Sequence, residues 1–369
     1  MRRPARPPEG APGHNPEPRS GEPASPPSLE GGWGEGTPVS VQFEHRHASH
    51  CESGVMSTLT GFYGLPLSEP LAFGLASALS FAYLPFIKLS GLPLVAYRMP
   101  PKFIIKGLSK PLNLDMRFET FRDPARGMNR LDALLDEGRV LGLQTSVYWL
   151  PYFPEDLRFH FNAHNLLVYG REGDNYQISD PVFETPMSCS RADLQRARFA
   201  KGVLAPKGLL YYPRRQPQAP DWDKAIAAAI KRTTRIMLWT PLPLIGTRGI
   251  RRLASAVERL DAENNSEHAR HFIGHLVRMQ EEIGTGGAGF RFIYASFLQE
   301  AQTLAGRAHY GEFAARLVEI GDQWRAFALA AARMVRGRDA LAPRELGALL
   351  RATADREHAF FADLARAQA

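Results

Sequence analysis

The sequence holds two cysteines, Cys51 and Cys189, and the first is followed by residue types that can turn a thiol into a nucleophile. Cys51 opens the stretch Cys51-Glu52-Ser53-Gly54-Val55-Met56, whose pattern predicts a helix over 51–62. A cysteine at the start of a helix sits where the macrodipole and the free backbone N–H groups favour the thiolate, which is the attacking species. Such a thiol still requires a base to take its proton and a group to orient that base. His164 heads the apolar run Asn165-Leu166-Leu167-Val168, and Asp180 closes the next apolar run in Ser179-Asp180-Pro181. If the two runs are adjacent antiparallel strands joined by a turn, imidazole and carboxylate meet, which completes a nucleophile, base and orienter.

Taken singly, each residue has a plainer reading: a lone cysteine is usually a buried small hydrophobe, and an aspartate before proline a turn residue. Order and position favour chemistry, because a cysteine at a helix start, then a histidine, then an aspartate is what a papain-like core requires. Cys189 precedes a helix expected from Ala192 and is assigned no role. His45, His47 and His50 crowd Cys51 and could hold zinc with it, but a metal would block the thiolate and no matching ligand pair follows. His268, His271 and His275 share a helix face without the acidic residue of a metalloprotease arrangement, so no metal site is expected. The run Gly284-Thr285-Gly286-Gly287-Ala288-Gly289 lacks the lysine and the preceding strand of a phosphate loop. It reads as a tight turn between helices that lets backbone approach backbone or ligand closely.

The elements that must position these side chains follow from periodicity. Helices are predicted over 51–62, 69–82 and 129–137, a short strand over Leu94–Tyr97, and strands over 140–148, 165–169 and 176–179, the last two joined by the turn 171–175. Helices followed by antiparallel strands indicate an α+β fold. Residues 213–220 form a linker by composition, and helical periods follow at 222–238, 248–262, 266–283, 289–305, 310–336 and 343–366, with Asp221 and Ser266 as N-caps. The organisation expected is a catalytic domain over 41–212 and an all-α domain over 221–369. Residues 1–40 concentrate proline and glycine and are expected to be a disordered tail. No apolar run follows its arginines, so it is not read as a secretory signal, and two cysteines are too few for a disulfide scaffold; a cytoplasmic protein is the default expectation.

The formal net charge of +7 is mild, and no nucleic-acid motif accompanies it, so no nucleic-acid partner is expected. Between Glu69 and Asp115 the only charges are Lys88, Arg98, Lys102, Lys106 and Lys110, a basic patch suited to an acidic partner protein. Leu71–Ile87 carries no charge, but Gly74, Ser77, Ser80 and Pro85 weaken it as a membrane span; it is read as a helix buried against a sheet.

Five ordered motifs add a resemblance: His50-Cys51-Glu52-Ser53; Ser68-Glu69-Pro70-Leu71-Ala72-Phe73-Gly74; Tyr148-Trp149-Leu150-Pro151-Tyr152; His164-Asn165 with Tyr169-Gly170; and Ser179-Asp180-Pro181. Across roughly 43–212 the chain resembles the butirosin biosynthesis protein H family, and its helical half is similar, through Ile283 to Phe290, to the domain that commonly follows. The resemblance implies an acyltransferase on a papain-like fold; in the founding member an acyl group moves from a thioester on an acyl carrier protein to an amine of an aminoglycoside antibiotic. By this resemblance Cys51 would attack the thioester and hold the acyl group, His164 would serve as base and then acid, and Asp180 would orient the imidazole. Glu69, Gln144, Tyr148 and Asn165 are the expected substrate-binding residues, Glu69 also reading as a structural residue of ordinary capping chemistry in a first helical turn, with Gln144 or Gln42 a side-chain donor to the oxyanion beside the N–H of Cys51. Arg98, Lys102, Lys106 and Lys110 would dock the carrier. No cofactor is expected beyond the phosphopantetheine-borne thioester that serves as donor, and the acceptor is an amine of a small molecule, as in specialised metabolite biosynthesis. A cysteine peptidase or amidase, and a non-catalytic interaction protein, are the alternative readings.

Overall fold

His50 ends an extended segment, and its ring accepts the N–H of Ser53, so helix α1 (Cys51–Phe62) begins at the cysteine itself. Ser68 caps α2 (Glu69–Leu75) by accepting the N–H of Leu71, with Pro70 in the first turn where no donor is needed. Here the chain departs from expectation. The helix stops after Leu75, Ser77 takes a left-handed φ of 56°, and the uncharged stretch continues as strand β1 (Leu79–Leu89), paired antiparallel with β2 (Leu92–Arg98). An unbroken apolar run has no polar face to reveal its period, which is why one expected helix is half helix and half strand. Among the described residues no helix is long and apolar enough to cross a membrane. The computed structural model describes residues 41–89 and 91–368; the expected disordered tail over 1–40 lies outside the described residues.

Beyond the hairpin come α3 (Phe103–Ser109), β3 (Met116–Glu119), α4 (Pro124–Asp136), β4 (Leu141–Thr145), β5 (His164–Glu172), β6 (Asn175–Ser179), β7 (Met187–Ser190), α5 (Arg191–Arg198) and β8 (Leu210–Pro213). Six strands form one antiparallel sheet in the order β3-β8-β4-β5-β6-β7, with β5 inside it. Side chains alternate across a strand, and the sheet accordingly separates two apolar layers. Leu166 and Val168 of β5 join Leu131 and Leu135 of α4 and Leu194 of α5 on one side. Leu167 and Tyr211 join Val55, Met56 and Leu59 of α1 on the other. Gly142 of β4 is required there, because a Cβ would stand 2.1 Å from the ring of Tyr211. The four-residue strands β3, β7 and β8 were not expected from sequence, being too short to show alternation.

The helical half comprises α6 (Trp222–Trp239), α7 (Gly246–Glu258), α8 (Ser266–Val277), a π turn over Arg278–Glu282, α9 (Arg291–Ala305), α10 (His309–Val335) and α11 (Pro343–Arg366). Asp221 accepts the N–H of Lys224 as an N-cap does. Ser266 does not: it is the first helical residue, and the cap position belongs to Asn265, which makes no capping bond through its side chain. A single buried cluster takes in Leu59, Phe73 and Tyr97 together with Ile230, Phe297, Trp324 and Phe361, so the helices complete the core beside α1, α2 and the β1–β2 hairpin. The segment read as a linker is tied to the first half, through Arg214 N–H to the Asp115 carbonyl and Gln218 N–H to the Leu112 carbonyl, both 2.8 Å.

Candidate active site

The sheet register decides which side chains meet. His164 opens β5, Asp180 follows the last residue of β6, and pairing of these two strands brings the imidazole Nε2 to 2.7 Å from the Asp180 Oδ2. The same carboxylate accepts the Tyr152 hydroxyl at 2.9 Å and, through Oδ1, the N–H of Val182 at 3.3 Å. With Nε2 engaged by Asp180, the other ring nitrogen is left for Cys51, whose sulfur is near enough to help raise the imidazole pKa. The edge of Phe153 meets the imidazole, centroids 5.4 Å apart at 89°. Cys51, His164 and Asp180 are 7%, 4% and 0% exposed. Burial works against charging His164, but the Asp180 carboxylate and the Cys51 sulfur outweigh it and push the imidazole pKa up to about 10. The structure thus brings the three together at the end of the sheet, with the thiol at the first position of a helix whose leading N–H groups lack intrahelical acceptors.

The loop before the cysteine is bound on two sides. Ala48 N–H donates to the Pro181 carbonyl at 2.6 Å, and His45 bridges Ser179 and Phe183, its Nε2 donating to the Phe183 carbonyl at 2.9 Å. On the other side Glu69 accepts the N–H groups of Ser49 and His50 at 2.9 and 2.7 Å and the hydroxyl of Ser53 at 3.0 Å. Of the two readings of Glu69, substrate-binding and structural, the hydrogen bonds favour the structural one, the carboxylate being taken up by the nucleophile loop. His50 is held neutral, its pKa drawn well below the ordinary range by burial and then by the charges of Arg98 and His164.

Other expected contacts are revised by the structure. Gln144 Nε2 donates to the carbonyls of Asn162 (2.8 Å) and Leu204 (3.1 Å), so both amide hydrogens are engaged and neither is free for an oxyanion. Gln42 is exposed. Asn165 is buried, accepting the Tyr211 hydroxyl at 3.0 Å and donating to the Ala163 carbonyl at 3.2 Å. Tyr148, 40% exposed, stacks on His160 and lines a surface cleft of about 400 Å³ with Trp149, Pro151, Arg158 and Arg196. Arg98 leaves the expected basic patch: its side chain is 13% exposed and lies 3.3 Å from Glu52, a fully buried carboxylate that also accepts the N–H groups of Ile104 and Ile105. Lys102 is half-buried at the head of α3, where burial lowers its pKa, while Lys106 and Lys110 are exposed. Cys189 is buried on β7, where burial pushes its pKa up to about 12, the condition of an inert structural thiol. Sequence reasoning missed Tyr152 as a partner of Asp180 and Glu52 as the anchor of α3. The acidic residue directly after Cys51 was the one available signal for the latter.

A helix-borne thiol laid on an antiparallel sheet whose adjacent strands supply histidine and aspartate defines a papain-like α+β protein with the site of a cysteine-based enzyme. Residues 50–181 match the family described as butirosin biosynthesis protein H, N-terminal, and residues 192–364 match the domain of unknown function DUF4872. No curated protein matches it. Among solved structures, a Bacillus anthracis protein described as a C39-like peptidase is similar at 13% identity and a TM-score of 0.34, over 49% of this chain and 100% of that one.

Proposed function

We propose that this protein is a cysteine-dependent acyltransferase that moves an acyl group from a carrier-protein or coenzyme A thioester, through an acyl group on Cys51, to an amine of a small molecule. The observation that carries the reading is the 2.7 Å His164–Asp180 contact, in a buried site that also holds Cys51 at the head of α1. The thiolate attacks the thioester carbonyl carbon, forming a carbon–sulfur bond; as the tetrahedral intermediate collapses, the donor thiol leaves and takes its proton from the imidazolium. The amine then attacks the acyl-enzyme, His164 takes a proton from its nitrogen, and the Cys51 thiolate departs. Cys51 N–H, at the head of α1, would serve as a backbone donor for the oxyanion. The low exposure of all three residues supports transfer to an amine, because a site that excludes water disfavours hydrolysis of the intermediate. The family match supports a place in metabolite biosynthesis. No cofactor of the protein's own takes part, the phosphopantetheine-borne thioester being substrate. The exposed Lys106 and Lys110, with Lys102 beside them, are proposed to meet an acidic carrier protein.

Incubation with acyl-carrier thioesters, read by intact mass, tests the covalent step. The wild type is expected to gain one acyl mass and Cys51→Ser none; an unmodified wild type, or the same adduct on the variant, sinks the mechanism. Supplying candidate amines should then give acyl-amine. Free acid as the only product, whatever the amine, would make the protein a hydrolase.

A further inference from the structure

The glycine-rich turn Gly284–Phe290, which the acyl-transfer chemistry does not use, lies against the residues that precede the nucleophile. A Cβ on Gly284 would stand 3.2 Å from the Ser49 carbonyl oxygen, and one on Gly286 would stand 3.6 Å from the Ser49 Cβ. Phe290 meets the ring of His50 edge-on, centroids 5.1 Å apart, while stacking on Phe73 at 5.2 Å. Ser49 and His50 are the two residues whose N–H groups Glu69 holds from the other side, and His50 caps the helix that Cys51 opens.

The turn is itself clamped from the helical half. Gly284, Gly286, Gly287 and Gly289 have φ between 56° and 86°, and Ala288 and Phe290 share the left-handed region at 51° and 71°. Non-glycine residues adopt that region only when their surroundings impose it. Glu281 accepts the N–H of Ala288 at 3.1 Å, and the Thr285 hydroxyl donates to the Gln280 carbonyl at 2.6 Å. Arg291 donates to the Gly289 carbonyl at 2.7 Å and is fixed in turn by Glu357 of α11, at 2.7 and 3.0 Å, both side chains being fully buried. Trp324 of α10 donates to the same carboxylate at 2.6 Å.

We propose that this turn is a positioning element for the nucleophile, and that the helical half sets the reactivity of Cys51 by pressing a clamped backbone against Ser49 and His50. The titratable and charged groups around the thiol region include His164, Asp180, Tyr211, His50, Glu52, Glu69 and Arg98, and the turn adds no charge to them; it acts through placement. The inference rests on Cys51 being the nucleophile.

The test is the rate of carbamidomethylation of Cys51 by iodoacetamide, assigned by peptide mass and followed across pH, which needs neither acyl donor nor acceptor. Gly284→Ala adds a methyl against the Ser49 carbonyl at a positive φ. Gly337→Ala is the control: the same helical half and a φ of 70°, with nothing within 4 Å of the added methyl. Both variants are expected to lose similar thermal stability, but only Gly284→Ala should slow alkylation, by about tenfold near neutral pH with a displaced pH profile, because a displacement of even part of an ångström at a reacting group is costly. Phe290→Leu, which keeps an apolar side chain but removes the ring edge from His50, should act in the same direction if Gly284→Ala does not fold. Unchanged profiles for Gly284→Ala and Phe290→Leu, or an equal change for Gly337→Ala, overturn the inference. A wild type whose Cys51 reacts no faster than an unfolded thiol overturns instead the assignment of Cys51 as nucleophile.

Discussion

Asp180 does two jobs with one carboxylate. It fixes the ring of His164 through Nε2, and its charge favours the protonated imidazole in a place where burial alone would neutralise it. A base whose pKa is raised by folding contributes stability that is fully present below its ordinary value and is lost as pH rises through the folded value. For His164 that window runs from 6.5 to about 10. Asp180→Asn removes the charge and leaves Tyr152 and Val182 with a neutral partner. The difference in Tm between wild type and Asp180→Asn is therefore expected to be widest at or below pH 6.5 and to narrow toward pH 10. A difference that stays constant across that range would show that the pair contributes nothing through its charge. At this scale the pairing of His164 with Asp180 was legible from type and order, whereas the other partners of the carboxylate were not: Tyr152 is 28 positions away from Asp180 and reaches it only through the loop after β4.

Short elements behave differently from long ones. Helices α9, α10 and α11 run for 15, 27 and 24 residues, enough turns for an apolar stripe to declare itself, and their expected limits lie within two residues of those observed. Helix α3 has seven residues and was not foreseen, yet it decides what the basic patch is. Its head is bound by Glu52, which draws Arg98 inward, and its exposed face keeps Lys106 and Lys110. Charge counting along a sequence cannot separate an arginine paired inside the molecule from a lysine in solvent. If α3 docks the carrier, the double variant Lys106→Glu, Lys110→Glu should slow loading of Cys51 from a carrier-borne thioester about tenfold or more at low salt and leave loading from a small thioester unchanged, because the electrostatic effect is on encounter rate. Stopped-flow loading with the two donors checks this; equal slowing of both removes the docking surface.

Across the whole molecule, the apolar cluster that holds α1 and α2 is finished by the helical half. Phe73 stacks on Phe290, Tyr97 meets Trp324 edge-on, and the ring of Phe297 occupies the space where Gly74 would carry a Cβ, 2.0 Å away. Each large apolar side chain returned to water costs about 1.5–3 kcal/mol. Several together approach the ~5–15 kcal/mol that stabilises a typical domain. A fragment ending at the 213–220 segment is therefore expected to lose cooperative thermal unfolding and to bind a hydrophobic dye, in contrast to the full chain. A sharp, dye-free transition for the fragment would show that its core closes without the helices.

What the sequence determined by itself was local and ordered: a helix opening at Cys51, strands opening at His164 and closing before Asp180, and a helical second half. Each depends on neighbours within a few residues, through capping, period or turn chemistry. Tertiary structure decided the rest, because a polar side chain can be assigned only when its partners are known. Glu69, Gln144, Asn165 and Arg98 have side chains suited to bind a ligand, and each instead satisfies a group of the protein itself 19 to 60 positions away, a Ser49 or His50 amide, a Leu204 carbonyl, a Tyr211 hydroxyl or a Glu52 carboxylate. The glycine turn is the same lesson at longer range: its composition announced a close approach of backbone, and only the packed molecule identified Ser49 and His50 as what it approaches.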